Sequence, residues 1–70
     1  MEIYKIENEN YYLLAEYEKD SKVYVLLGNV NNPYDQFIRI KKDNKLVALE
    51  SEEEVKKVAH KLLEKLESSL

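Results

Sequence analysis

The sequence predicts an α+β domain: an antiparallel β-meander of four to five short strands, then one C-terminal amphipathic helix packed on one face. Three observations predict it. Short runs of Tyr, Val, Ile and Leu, separated by polar turn residues, fill the chain as far as residue 50. From Ser51 the apolar residues recur at helical spacing instead. The connections between successive runs are short, which favours hairpins over crossovers.

Ile3 to Ile6 reads as the first strand, and Asn8-Glu9-Asn10 as a turn. Tyr11 to Glu18 reads as the second strand, with Lys19-Asp20-Ser21-Lys22 as a hairpin loop into Val23 to Leu27. Gly28 is placed for a bulge or a strand end. Asn31-Asn32-Pro33-Tyr34-Asp35 carries the strongest loop signal, because Pro33 fixes its own φ and biases Asn32 away from helix. Gln36 to Lys41, a tight turn at Asp43-Asn44, and Leu46 to Leu49 complete the sheet.

Ser51-Glu52-Glu53-Glu54 fits a capping box, in which the serine oxygen accepts from a first-turn amide and Glu54 reaches back to the cap. Three glutamates in that turn complement the positive end of the helix dipole. Val55, Val58, Ala59, Leu62, Leu63 and Leu66 form one stripe at i, i+3, i+4 and i+7 spacing. Glu52 to Lys56 and Glu53 to Lys57 are correctly oriented i,i+4 pairs. The predicted helix runs from Glu52 to Glu67. Residues 1–70 thus form a single domain, with 1–50 as the sheet part, 51–67 as the helix and 68–70 as a tail.

Seventy residues bury only about 60% of the surface that the unfolded chain exposes, so the core leaves little surplus stability. With no cysteine, neither disulfides nor thiolate zinc sites are available. A net charge of −3 suits a soluble protein and argues against non-specific binding to nucleic acid. The N-terminus shows no basic region followed by an apolar stretch, and the apolar runs fall far short of the ~20 residues that span a bilayer. Cytoplasmic residence, with no membrane association, is the expectation.

Nothing in the chain has the pattern of an active site. His60 stands on the polar side of the helix with Glu64 at i+4, the arrangement of a solvated surface histidine. Gly28 is the only glycine, which excludes a glycine-rich phosphate loop, and no serine has a partner histidine in a triad frame. The carboxylates of Glu7, Glu9, Glu16, Glu18 and Asp20 show no acid/base pattern that separates them from surface charge. No catalytic residue, metal ligand or cofactor is expected.

Two surfaces remain. With a four-residue hairpin loop, Tyr17 faces Tyr24 and Ala15 faces Leu26, so that Tyr11, Leu13, Tyr17, Tyr24 and Leu26 share one sheet face. One helix covers one face, and a tyrosine-rich face left open suits a protein partner or self-association. Tyrosines on a solvated strand face are the plainer alternative, and a one-residue change in loop length would exchange the pairs. The second surface is basic: Arg39, Lys41, Lys42 and Lys45 cluster around the Asp43-Asn44 turn beside Phe37. They suit weak nucleic-acid binding, or simply a solvated strand edge whose lysines deter sheet association.

Glu16-Tyr17-Glu18 followed by Lys22-Val23-Tyr24-Val25-Leu26-Leu27 is an acidic-aromatic strand turning into a K-x-Y-x-L-L strand. Phe37-Ile38-Arg39 then precedes Leu46-Val47-Ala48-Leu49-Glu50-Ser51-Glu52-Glu53-Glu54 and the terminal helix. That order resembles the small bacterial family known as domain of unknown function 1292, over nearly the whole chain. The chain departs from it in a shorter, Asn-rich loop and a lower acidity. The resemblance implies a cytoplasmic bacterial protein without an established activity, and it carries over no site residue. The expected function is that of a non-enzymatic interaction module or accessory subunit.

Overall fold

A computed structural model describes residues 2–68. Five strands, β1 (Ile3–Ile6), β2 (Glu9–Lys19), β3 (Lys22–Asn29), β4 (Asn32–Lys42) and β5 (Lys45–Val47), form one antiparallel sheet in chain order. The helix α1 (Glu52–Ser68) follows. The expected α+β meander with one C-terminal helix is what the chain forms. Of the expected 68–70 tail, Ser68 ends the helix, and residues 69–70 lie outside the described residues.

Three hairpins close on two residues that both have positive φ: Glu7-Asn8, Asp20-Ser21 and Asp43-Asn44. Such turns match the right-handed twist of the strands they join. The first hairpin therefore turns one residue earlier than the sequence suggests, and Glu9 and Asn10 join β2. Likewise Lys19 and Lys22 pair with each other as strand ends instead of sitting in a loop. The larger correction concerns residues 31–35. Only Val30 and Asn31 turn, and Asn32 to Asp35 belong to β4. Asp35 is anchored there: its Oδ2 accepts from the Tyr11 hydroxyl at 2.7 Å and from Asn29 Nδ2 at 3.1 Å. Pro33 is tolerated because residues 33–35 bulge out of the ladder, in which Gly28 pairs with Gln36 and Asn29 with Asn32, so its missing N–H breaks no bond. The last strand is shorter than expected, ending at Val47.

The β2–β3 register decides the core. Tyr17 faces Tyr24 and Ala15 faces Leu26, as the sequence suggests, but Leu13 then faces Leu27. Leu14 is the extra residue of a β-bulge. Its side chain lies over Gly28, where a Cβ would stand 2.8 Å from Leu14 Cδ1. The bulge exchanges faces along β2, so the predicted stripe is split. Tyr17, Tyr24 and Leu26 lie on the helix side, packed with Ala15, Ile40, Val58 and Leu62. Tyr11 and Leu13 lie on the other side with Val25 and Leu27.

That other face is not open either. The sheet curls until the Lys41 Nζ on β4 comes within 6.0 Å of the Tyr4 ring on β1. Tyr4, Ile6, Val23, Phe37 and Leu46 close over the hollow, and Val25 and Leu27 have no exposed surface. The face expected to await a partner is instead a second core, which the sheet covers by bending.

The helix begins as its sequence predicts. Ser51 Oγ accepts from the Glu54 N–H at 3.1 Å, and the Val55 N–H reaches the Ser51 carbonyl at 3.1 Å. Glu54 reaches one residue further back than a capping box requires, and accepts from the Glu50 N–H at 3.1 Å. Its other oxygen accepts from the buried Tyr24 hydroxyl at 2.9 Å and faces Lys22 Nζ at 3.5 Å. Cap, sheet and hairpin are thus tied at one carboxylate.

Burial, with the Glu54 carboxylate beside it, pushes the Tyr24 phenol up to about 12 from its ordinary 10.0. A phenol ionised there would confront a carboxylate. The stability it provides is complete below pH 10 and lost as pH rises towards about 12. Glu54 behaves in the opposite sense. The Tyr24 hydroxyl and the Glu50 N–H hold it below its ordinary 4.5, so its contribution is present above that value and lost on acidification below it. Tyr24→Phe is expected to cost about 1 kcal/mol in urea unfolding at neutral pH. It should also flatten the loss of stability between pH 10 and 12. An unchanged alkaline profile would remove the assigned role of the phenol.

Candidate interaction groove

α1 lies mainly over β2, with a smaller contact on β3, because the stripe that seats deepest is Val58, Leu62 and Leu66. The apolar stripe is wider than that seat. Val55, Ala59 and Leu63 run along the flank of the helix nearest β4, and Val55 and Leu63 are 38% and 50% exposed. On the sheet side stands Ile38, half-buried beside Leu26. Between flank and strand runs a groove of about 450 Å³, with Leu26 and Leu62 in its floor and Gln36, Phe37 and Arg39 along the rim. It exists because one helix is too narrow to cover the helix-side surface of a sheet this wide.

Arg39 marks one border. Its guanidinium lies 4.5 Å from the Phe37 ring centroid, and Nη1 donates to the Ile38 carbonyl at 2.9 Å. Lys41 points into the curl towards Tyr4, whose hydroxyl, with Glu2 beyond it, holds the ammonium above its ordinary pKa. Lys42 and Lys45 pair at the hairpin end. The four cations of the predicted basic surface are therefore divided, with Arg39 bound to the groove rim and Lys41 to the β1 edge.

The predicted tyrosine surface is likewise dispersed, since Tyr24, Leu26 and Tyr11 are buried and only Tyr17 and Leu13 keep partial exposure. The residues that replace it, Val55, Ala59 and Leu63, are legible in the sequence as surplus members of the helical stripe. Their uncovered position follows from the tilt of α1 towards β2, which a single sequence does not encode locally. His60 is exposed with Nε2 3.0 Å from Glu64 Oε1. Among the described residues, no group of His, Cys, Asp and Glu is placed to hold a metal ion.

No family model, curated protein or solved structure matches the chain. The groove is accordingly read from its own chemistry: apolar walls, one pinned guanidinium at the rim, and no titratable group in the floor. Among the described residues, no helix is long and apolar enough to cross a membrane.

Proposed function

We propose that the chain is a non-enzymatic interaction module that binds a protein partner through the groove between α1 and β4. The observation that carries this reading is the exposure of Val55 and Leu63 opposite Ile38, in a chain that packs a core on each face of its sheet. Large apolar side chains grouped at one concavity, rimmed by polar residues, characterise docking surfaces more than solvated ones.

Leu63→Glu tests the reading cleanly, because half of that side chain is already in water and the fold does not depend on it. Its unfolding free energy is expected to stay within about 0.5 kcal/mol of wild type. Affinity capture from the native host with both proteins, followed by mass spectrometry, should show a partner retained by wild type and lost with Leu63→Glu. Identical captured sets would sink the groove as a binding surface.

A further inference from the structure

The outer edge of β4 indicates what kind of segment the groove takes. β5 pairs only with Ile40, Lys41 and Lys42. In the two-residue hairpin, Lys42 and Lys45 close the turn as a bonded pair, so along the regular ladder from Gln36 to Lys42 the even-numbered residues direct their backbone groups outwards. Gln36 and Ile38 therefore present N–H and C=O groups on a side where, among the described residues, no strand pairs with them. A side chain caps one of these groups: Arg39 donates to the Ile38 carbonyl at 2.9 Å. Just beyond them, Asn32 Oδ1 accepts from the Tyr34 N–H at 3.1 Å.

We propose that an extended segment of another protein, in which two apolar residues flank a carboxylate, adds to β4 as an antiparallel strand across Gln36, Phe37 and Ile38. This rests on the groove being an interaction surface. The residues opposite Gln36 and Ile38 then share the helix-side face and direct their side chains into the groove below Val55 and Leu63. The residue between them, opposite Phe37, falls on the other face, where the Arg39 guanidinium already lies over the Phe37 ring. A carboxylate there forms a charge-assisted pair with Arg39 as its cap on Ile38 gives way to a backbone bond. Arg39 and the donorless Pro33 deter indiscriminate edge pairing, so the carboxylate supplies the selectivity.

A second copy of this chain fits less well. In self-pairing centred on Phe37, Asp35 would meet Arg39, but that carboxylate is already held by Tyr11 and Asn29. Gln36, a polar residue, would then occupy the place opposite Ile38.

The probe is a blocked seven-residue peptide alternating Val and Glu, titrated calorimetrically against the full chain while amide hydrogen exchange is followed. Binding is expected, with slower exchange at Gln36 and Ile38. N-methylation of the peptide amides that face β4 should weaken it about tenfold. Arg39→Glu should weaken it about as much, and a Val/Lys peptide should restore it. The proposal is overturned if the peptide does not bind, or binds without regard to N-methylation. It is equally overturned if the Gln36 and Ile38 amides are protected in the free protein and lose that protection on dilution, which assigns the edge to a second copy. Leu63→Glu separates the two levels. Binding that needs Leu63 but ignores N-methylation keeps the groove and removes the added strand. Binding that needs the peptide amides but ignores Leu63 removes the groove, and with it the placement of the two apolar residues, although a strand still adds.

Discussion

Leu27→Ala is expected to lower the unfolding free energy by about 3 kcal/mol, with no change in oligomeric state. Leu27 has no exposed surface, although no helix lies on its side of the sheet. Tyr11, Val25, Leu13 and Phe37 surround it, and the curl that brings Lys41 to Tyr4 keeps water out. Removing three carbons there leaves a cavity that five hydrogen-bonded strands cannot easily collapse. A chain this small has about 5 kcal/mol of stability in total, so urea unfolding should begin at markedly lower concentration. If this face were an exposed docking surface, the substitution would instead leave stability nearly intact. A measured cost below about 1 kcal/mol would therefore contradict the two-core arrangement.

Leu62→Ala tests the other core and is expected to cost a similar amount, about 3 kcal/mol. Leu62 is fully buried at the centre of the helix contact, between Ala15, Tyr24, Leu26 and Ile40 on the sheet and Val58 on its own helix. Most helical stability in a short segment comes from tertiary packing, so the helical circular dichroism signal should fall at lower denaturant than in wild type. Leu62 and Leu27 belong to separate clusters on opposite faces. The two costs should add to within about 0.5 kcal/mol, leaving the double variant largely unfolded at room temperature. Strong non-additivity would mean that the faces are coupled through the sheet.

The sequence reveals the helix and most of the sheet because their local signals agree. The period changes at Ser51, the stripe from Val55 to Leu66 is continuous, and Asp43-Asn44 is punctuation that the turn uses. Even the Tyr17–Tyr24 register is legible, since counting back from the Asp20-Ser21 turn gives it. The bulge is not. Leu13, Leu14 and Ala15 are all apolar, so no alternation marks where one residue must be left unpaired. That single residue moves Tyr11 and Leu13 away from Tyr17 and Tyr24, and the predicted interaction face dissolves with it. Residues 31–35 mislead for another reason. Asn and Pro signal turns locally, whereas the bond to Asp35 from Tyr11, distant along the chain, and that from Asn29 tie the segment to the sheet as a bulged start of β4. The curl is a collective property of long, twisted strands, so the second core has no local signature.

Because each strand pairs with the one made just before it, the sheet can assemble as a zipper. Every successive hairpin closes across a turn of two residues, and chain closure costs little entropy at each step. The search that remains is for α1, which must return past β5 and β4 to seat on β2. Glu54 gives that search its landmark: its bond to Tyr24 is available only when the helix start has found the β3 strand, so docking and capping are completed in one event.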